Sequence, residues 1–322
     1  MGATKLRFTN SAYDFDAAIQ TFLFSCKARN LSNETLTFYI NRLDSFRRFL
    51  SEEFPNIKPA DVTPDTIRRF ITYCQDALKH SVQTVNHNIQ VLHTFFGYLE
   101  DEGHIEASPM RKIKKIRQRK QIVQTFSSDE LKRLLAQPDQ NTFLGLRDYA
   151  MMLLLLDVGC RVSEAVGLRL PDVDWSSSTI LVLGKGGKER EIPFGKLVRR
   201  ALARYLERRG EIEGEEHVFV NQFGEPLTRF AVGNAIAHYG KLADIENVRC
   251  SPHTCRHTFA KNWILNGGDA FTLQRMLGHT TMEMVRRYVE MATGDITRQH
   301  QKYSPMDLLG SVKKTGRKKI LR

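Results

Sequence analysis

Apolar residues recur at helical spacing through the first hundred residues of the chain. An apolar residue at every third or fourth position marks one face of an amphipathic helix. Four such stripes follow one another: Phe15, Ala18, Ile19, Phe22 and Leu23; Leu36, Tyr39, Ile40, Leu43 and Phe46; Ile67, Phe70, Ile71 and Cys74; and Val85, Ile89, Leu92, Phe96 and Leu99. The pattern predicts a small bundle of four helices, which by itself indicates no function.

Polar residues mark the beginnings of these helices. Thr63 followed by Pro64 suits an N-cap and the first helical position. Ser32 precedes the second stripe and Ser81 precedes the fourth. The last of the four helices is predicted to stop near Gly103.

The second half of the chain mixes helical segments with short runs typical of strands. Thr179 to Leu183 and Glu189 to Pro193 flank the stretch Gly184-Lys185-Gly186-Gly187-Lys188, and this pattern predicts a β-hairpin with a glycine-rich tip. His217-Val218-Phe219-Val220 is predicted to form a third short strand.

Three helix signals surround the hairpin. Ser127-Ser128-Asp129-Glu130 is a capping box, a buried helix is predicted from Tyr149 to Val158 with its end at Gly159, and Ser251-Pro252 opens another helix. The predicted fold class is therefore mainly α, or α+β overall. It combines an N-terminal helical bundle with a C-terminal mixed helical domain that carries a small antiparallel sheet.

Basic residues are concentrated in two segments of this 322-residue chain, whose net charge is +12. Residues 111–120 hold seven basic residues and residues 310–322 hold six, and neither segment contains an acidic residue. A solvated face is the ordinary interpretation of such runs. The first run, however, lies between Ser108-Pro109 and a new helix start, so we expect an interdomain linker that follows a phosphate backbone. Its predicted phosphate contacts are Arg111, Lys112, Lys114, Lys115, Arg117, Arg119 and Lys120.

These signals divide the chain into four predicted parts. A helical domain is expected over 11–106, the basic linker over 107–126, a second domain over 127–306 and a basic tail over 307–322. No run approaches the roughly 18 apolar residues of a membrane span, and no apolar signal segment follows Met1. Five cysteines without a Cys-x-x-Cys pair indicate neither a disulfide framework nor a zinc knuckle, which favours a cytoplasmic protein.

Several side chains in the second half suit phosphate chemistry. His253 and Arg256 lie three positions apart at a helix start, so we expect both on one face. A guanidinium stays protonated and offers a planar fork of donors that matches two phosphate oxygens. Arg161 follows the break at Gly159-Cys160, and Glu164 is placed to hold its guanidinium.

Each of these residues also has a purely structural interpretation. A lone arginine is usually a surface charge, a histidine at a helix start is usually a cap, and a tyrosine usually packs. His253, Cys255 and His257 together suggest a metal site, which we disfavour because no carboxylate or second ligand pair accompanies them.

The order of the motifs resembles the tyrosine recombinase (phage integrase) family. The resembling stretches are Val158-Gly159-Cys160-Arg161-Val162-Ser163-Glu164-Ala165, Leu183-Gly184-Lys185-Gly186-Gly187-Lys188-Glu189-Arg190, His253-Thr254-Cys255-Arg256-His257-Thr258-Phe259-Ala260, and Leu277-Gly278-His279 with Arg287-Tyr288. They cover the second half densely, whereas the first half is only consistent with the family's SAM-like DNA-binding bundle. Cys160 and Cys255 depart from the usual neighbours, and we expect them to make activity sensitive to oxidation.

The resemblance implies a catalytic set and a mechanism without metal, nucleotide or other cofactor. Tyr288 would attack the scissile phosphodiester, because a phenol assisted at neutral pH is a competent nucleophile; the products are a 3′-phosphotyrosyl link and a free 5′-hydroxyl. The other implied roles are clamping of the phosphate oxygens by Arg161 and Arg256, protonation of the leaving 5′-oxygen by Lys185, acceptance or relay of the tyrosine proton by His253, and a phosphate hydrogen bond from His279. Tyr303 is the competing nucleophile, and the nine-residue interval after His279 favours Tyr288.

The resemblance also implies an assembly on double-stranded DNA. The helical domain begins within about fifteen residues of the first residue, so we expect no extra arm-binding domain, as in two-domain Xer, Cre and transposon-type recombinases. Such enzymes act as homotetramers on paired sites. In this chain Asp307-Leu308-Leu309 is the expected anchor that docks on the neighbouring protomer. A requirement for accessory proteins is left open by the sequence.

Other functions stay open at this point. A type IB topoisomerase shares the chemistry but relaxes supercoils as a monomer, and a catalytically idle accessory protein would only bind DNA. The stretches Asn262 to Gly268 and Met284 to Tyr288 favour recombinases of mobile elements over housekeeping Xer proteins. Integration, excision and dimer resolution are not distinguished.

Overall fold

Contacts divide the chain into two units, one up to residue 121 and one from residue 122. The computed structural model describes residues 14–117, 124–184 and 187–292, together with His300, Ser304 and Met306. The division falls inside the predicted linker, and the exact domain limits given above stay a prediction.

The first unit is a helical bundle, as the apolar spacing predicts. Within residues 14–117 its α-helices are α1 (Phe15–Ala28), α2 (Asn33–Glu53), α3 (Pro64–Asp76) and α4 (Val82–Asp101). The predicted caps Ser32, Thr63 and Ser81 each accept a hydrogen bond from the backbone N–H three residues further on. Aromatic rings fill the core: Phe46 packs edge-on against Phe70 with ring centroids 5.0 Å apart.

Residues 109–117, the first part of the predicted linker, pack onto this bundle. Ile113 is buried, and its carbonyl oxygen lies 2.9 Å from Nε2 of His93. The Asn86 amide donates to the Ile116 carbonyl at 2.9 Å and accepts from the Ile116 N–H at 2.7 Å. Of the predicted phosphate contacts, Arg111, Lys112, Lys114, Lys115 and Arg117 are exposed, whereas Arg119 and Lys120 lie outside the described residues.

A helix whose apolar residues are spread around all of its sides forms the centre of the second unit, and such a helix must be buried. This is α6 (Phe143–Val158), which packs against α8 and α10. Over residues 124–184 and 187–292, the other α-helices of this unit are α5 (Ser128–Leu135), α7 (Val162–Val166), α8 (Lys196–Arg209), α9 (Arg229–Leu242), α10 (Pro252–Leu265), α11 (Ala270–Leu277) and α12 (Glu283–Ala292). The predicted starts at Ser127 and Ser251 are confirmed as N-caps of α5 and α10.

The central helix begins earlier than predicted, at Phe143 rather than at Tyr149. Thr142 caps it, and its Oγ1 accepts a hydrogen bond of 3.0 Å from the Gly145 N–H. Gly145 is a weak helix former, so the sequence pattern does not predict this first turn of the helix.

A small antiparallel sheet flanks the helices, in the order β1 (Val173–Asp174), β2 (Thr179–Leu183) and β3 (Glu189–Pro193). The hairpin of β2 and β3 has the predicted limits, and Lys185 and Gly186 at its tip lie outside the described residues. The register places Arg190 opposite Val182.

The predicted third strand at 217–220 is wrong. Its two ends form isolated bridges to different segments, His217 with Arg169 and Val220 with Pro226, so no ladder develops. The apolar run reflects burial instead, because Val218, Phe219 and Val220 are inaccessible to solvent.

Gly159 ends α6 and directs the chain toward α7. It adopts the left-handed conformation with φ 63°, and its carbonyl oxygen accepts a 2.7 Å hydrogen bond from Nη1 of Arg256. A Cβ atom at this position would lie 2.1 Å from the ring of Phe259. Both the backbone conformation and the packing therefore require glycine.

We expect Gly159→Ala to lower the free energy of unfolding by about 3 kcal/mol. The left-handed conformation costs a non-glycine residue roughly 1–2 kcal/mol, and overpacking against Phe259 adds about 1–3 kcal/mol. Urea denaturation followed by circular dichroism measures the change. Gly214→Ala is the matched control. Gly214 lies in the same unit, in the turn that the Glu215 N–H closes onto the Ile212 carbonyl, and it has φ 73° with no atom within 4 Å of its added Cβ, so only the backbone cost applies. Equal losses in the two variants would contradict the packing argument.

Candidate active site

The structure brings Arg161, Arg256, His279 and Tyr288 together around the first turns of α10. Arg161 is the N-cap residue of α7, Arg256 lies on α10, His279 follows α11, and Tyr288 lies on α12. These elements are distant in sequence and meet because α10 packs against α6, α11 and α12.

Arg256 is buried, with 6% of its surface exposed. Nη1 donates to the Gly159 carbonyl at 2.7 Å, and Nη2 donates to the Leu277 carbonyl at 2.7 Å and lies 2.9 Å from Nε2 of His279. Burial, followed by the charge of Arg161, lowers the pKa of Arg256 to about 10. The guanidinium thus stays charged at neutral pH, although its hydrogen-bond partners are two carbonyls and an imidazole.

Glu164 is a buried carboxylate shared by two arginines. Its Oε1 accepts from Nη1 of Arg161 at 2.9 Å, and its Oε2 accepts from the Arg161 N–H at 2.7 Å. Arg190 on β3 donates to the same two oxygens at 3.0 and 2.8 Å. Burial opposes ionisation of Glu164, but the hydrogen bonds from Arg190 and Arg161 outweigh it and keep its pKa below the usual value. Glu164 therefore holds the Arg161 guanidinium, whose side chain is 38% exposed.

His279 is a neutral partner of Arg256. Because Nε2 accepts from Arg256, the ring proton of the neutral imidazole belongs on Nδ1. This Nδ1 is buried and has no hydrogen-bond partner among the described residues. Burial first, then the charges of Arg256 and Arg161, lower the pKa of His279 to about 4.

Tyr288 is buried, with 3% exposed, and its hydroxyl lies 2.7 Å from Nδ1 of His257. Burial raises the pKa of Tyr288, opposed by the charges of Arg256 and Arg287. Burial and the nearby charges of His253 and Arg256 lower the pKa of His257. Because both shifts disfavour transfer of the phenol proton, the pair rests as a neutral tyrosine and a neutral histidine.

The remaining predicted catalytic residues are placed differently. His253 lies in the first turn of α10 and is exposed, while Arg256 three positions on is buried. The histidine in contact with the tyrosine hydroxyl is thus His257 rather than His253, whose role stays a prediction. Lys185 and the competing Tyr303 lie outside the described residues.

Sequence reasoning missed two residues of this site. Arg190 closes the motif that runs from Leu183, and the available signal was a basic side chain on the same strand face as the apolar Ile192. His257 was considered only as a metal ligand, and no spacing rule connects it with Tyr288 on another helix.

The expected oxidation sensitivity of Cys160 and Cys255 is wrong on physical grounds. Both thiols are buried, and burial raises the pKa of each to about 12. Oxidation proceeds through an accessible thiolate, so these thiols are unreactive.

Two further findings concern the described residues only. They contain no group of three or more histidine, cysteine, aspartate or glutamate side chains that fits a metal ion. Likewise, none of their helices has the length and apolar character required to cross a membrane.

Comparison with known proteins identifies the class. Residues 124–294 match the phage integrase family, and residues 19–105 match the phage integrase N-terminal SAM-like domain. Tyrosine recombinase XerC of Oceanobacillus iheyensis is 33% identical over 286 residues, covering 86% of this chain and 92% of that protein. The chain belongs to the phage integrase family, and it is a site-specific tyrosine recombinase.

Solved structures share the fold at lower identity. The XerH site-specific recombinase bound to its palindromic difH substrate is 20% identical with a TM-score of 0.72, covering 92% of this chain and 86% of that one. The Tn1549 transposon integrase in complex with transposon right end DNA is 19% identical with a TM-score of 0.73, covering 91% and 99%.

We expect the depressed pKa of His279 to make folding sensitive to acid. The unfolded histidine titrates near 6.5 and the folded one near 4, so between these values the unfolded chain binds more protons. Stability is therefore full above about pH 6.5 and declines as pH falls toward 4. Urea denaturation at pH 7.5, 6.5, 5.5 and 4.5 measures this decline.

His279→Gln tests the assignment, because glutamine cannot titrate. The variant should lose less stability than the wild type between pH 6.5 and 4.5, with His257 supplying a remaining slope of the same sign. The measurement at pH 7.5 isolates the effect of the substitution itself. Parallel pH profiles in the two proteins would show that His279 is not responsible.

Proposed function

We propose that Arg161, Arg256, His279 and Tyr288 form the catalytic centre, completed by Lys185 and His253. The observation that carries this proposal is the convergence of two fixed guanidinium groups beside a buried tyrosine. Arg161 is held by Glu164, and the charge of Arg256 is close enough to offset part of the rise that burial causes in the pKa of Tyr288. Two such donors suit the charge that develops on a phosphate in the transition state.

The proposed reaction is a reversible transesterification. Oη of Tyr288 attacks the scissile phosphorus, a bond forms between them, and the bond from phosphorus to the 5′-oxygen breaks. The phenol proton passes to a base, with His253 as the candidate, and Lys185 gives a proton to the departing 5′-oxygen. A 5′-hydroxyl then attacks the phosphotyrosyl ester and Tyr288 regains its proton. The ester conserves the energy of the phosphodiester, so rejoining requires no nucleotide.

Tyr288 must move before it can react. Its hydroxyl is buried against His257, where the pKa of the tyrosine is raised. We infer that binding of the substrate draws the side chain out of this pocket toward Arg161 and Arg256. A state of this kind is selected by the ligand only if the ligand binds it better than the resting state.

Double-stranded DNA is the proposed partner. The XerH recombinase and the Tn1549 integrase were solved with DNA, and this chain shares their fold. Arg111 pairs with Glu100, and Nζ of Lys115 lies 3.1 Å from Oε1 of Gln90. The exposed Lys112, Lys114 and Arg117 are consequently the better candidates for phosphate contacts in the basic segment.

The proposed assembly is a homotetramer on paired sites, which fits a recombinase that exchanges four strands. The proposed location is the cytoplasm, in association with the nucleoid. Accessory proteins are compatible with this assembly. Topoisomerase-type relaxation and a catalytically idle role are not favoured, because the similarities are to recombinases and integrases.

We expect Tyr288→Phe to abolish covalent capture of a nicked suicide substrate, because no nucleophile remains, while DNA binding stays within about threefold. Denaturing gel electrophoresis detects the covalent complex, and a gel-shift titration measures binding. Tyr303→Phe is the matched control and should still form the complex. Loss of capture in the control with retention in Tyr288→Phe would place the nucleophile at Tyr303.

We expect removal of residues after Met306 to weaken tetramer assembly more than binding to a single site. The removed segment contains the apolar Asp307-Leu308-Leu309 anchor, whose contacts would be lost only in the assembly. Gel-shift titration on one site and on paired sites separates the two steps. Equal losses on both substrates would refute the docking role.

A further inference from the structure

Arg190 on β3 joins three segments of the candidate site. Nη1 and Nη2 donate to the two oxygens of Glu164 at 3.0 and 2.8 Å, and Nε donates to the Met276 carbonyl at 2.9 Å. Glu164 in turn holds Arg161, and Met276 lies at the end of α11, just before His279. One side chain thus connects the hairpin, the Arg161 motif and the His279 motif.

The chain turns closely around this guanidinium. Gly278 caps α11 in the left-handed conformation with φ 62°, and a Cβ there would lie 3.1 Å from Cζ of Arg190. The side chain of Arg190 is only 15% exposed. Because all three of its nitrogens already donate to protein acceptors, Arg190 is not arranged to bind a phosphate itself.

We propose that Arg190 is a positioning residue for recombination, which acts through Glu164 to orient the Arg161 guanidinium toward the scissile phosphate. This inference rests on the proposed function of Arg161. Three rotatable bonds separate the Glu164 carboxylate from its backbone, and the bidentate partner Arg190 fixes the plane of that carboxylate. Arg161 bonds to that carboxylate through both its N–H and its Nη1, so the plane of Glu164 sets the direction of the clamp.

Charge favours the same arrangement. A buried carboxylate with a single arginine would largely neutralise that arginine, whereas sharing with Arg190 leaves net positive charge beside Arg161 and Arg256. The hydrogen bond from Arg190 is the largest of the influences that keep Glu164 ionised. Arg190 thereby both fixes the carboxylate and preserves the electrostatic attraction for phosphate.

The test is a double-mutant cycle on cleavage rate. We would measure single-turnover cleavage of a nicked suicide substrate at saturating protein for wild type, Arg190→Met, Glu164→Gln and the double variant. Misplacement of a catalytic group by about 1 Å can cost up to 10²-fold in rate, so each single variant should be slowed about 10-fold or more. DNA affinity in a gel-shift titration should change by less than about threefold.

The decisive quantity is the coupling between the effects of the Arg190 and Glu164 substitutions on the cleavage rate. If Arg190 acts through Glu164, the double variant should be no slower than the worse single variant within about threefold. Multiplied losses in the double variant, or an Arg190→Met rate within twofold of wild type, would overturn the proposal. Either result is independent of whether Arg161 touches phosphate.

Arg209→Met is the matched control for general destabilisation. Arg209 is also buried in the second unit, and it donates to the carbonyls of Gly210 and Glu215 at 2.8 Å each. Its substitution should lower thermal stability without slowing cleavage of the folded fraction. Slowing equal to that of Arg190→Met would overturn the positioning role.

Two further variants cover the remaining cases. Arg190→Lys keeps the charge but cannot make all three contacts. It replaces Arg190→Met in the double-mutant cycle if Arg190→Met does not fold. Rates for it near those of wild type would show that the geometry of the fork is unimportant. Tyr288→Phe in the same assay separates failure of the proposed function, which its continued capture of DNA would reveal, from failure of this inference.

Discussion

The candidate site depends on buried positive charge that has few negative partners. Arg256 is almost inaccessible, yet it donates to two carbonyls and a neutral imidazole rather than to a carboxylate. Arg161 and Arg190 share the single carboxylate of Glu164. Burying a guanidinium in this way costs several kcal/mol of desolvation unless an anion compensates it. The scissile phosphate of the proposed complex would supply that anion, so the folded site would gain stability from binding it.

The same field sets the protonation of the neighbouring groups. Burial and the arginine charges keep His279 neutral, with a pKa of about 4, and therefore able to accept from Arg256. His257 is kept neutral by burial and by the charges around it. An arriving phosphate would offset part of the arginine charge and raise both histidine pKa values. Protonation in this centre is thus tied to occupancy, which is the behaviour required of groups that transfer protons only when a substrate is bound.

Much of this was predictable from local signals in the sequence, and the failures have physical causes. Caps such as Thr63 and Ser127 act within one turn, and the hairpin limits follow from alternation and glycine, so both were predicted correctly. The run at 217–220 has the composition of a strand, but strand formation depends on a partner ladder that only tertiary packing decides. The start of α6 was obscured by Gly145, where tertiary packing overrides a poor intrinsic propensity.

Contacts in the site were predictable where both residues belong to one short motif, because their spacing along the chain then determines whether they meet. Glu164 lies three residues from Arg161 and contacts it as that spacing allows, because both belong to one helical turn. His257 and Tyr288 lie on different helices, so their contact depends on how α10 and α12 pack. Arg190 likewise reaches Glu164 across the unit from a strand.

The resting position of Tyr288 follows from the same arrangement. An enzyme that forms a covalent link to DNA risks leaving a broken strand if its nucleophile is active outside the correct complex. Burial of the hydroxyl, a raised pKa and a neutral acceptor together keep the phenol protonated. In the proposed mechanism, Arg161 and Arg256 would assist Tyr288 only through a phosphate bound between them. Under that mechanism, reactivity would be a property of the bound complex, because the electrostatic attraction of Arg161 and Arg256 for phosphate would have to outweigh the contacts that hold Tyr288 against His257.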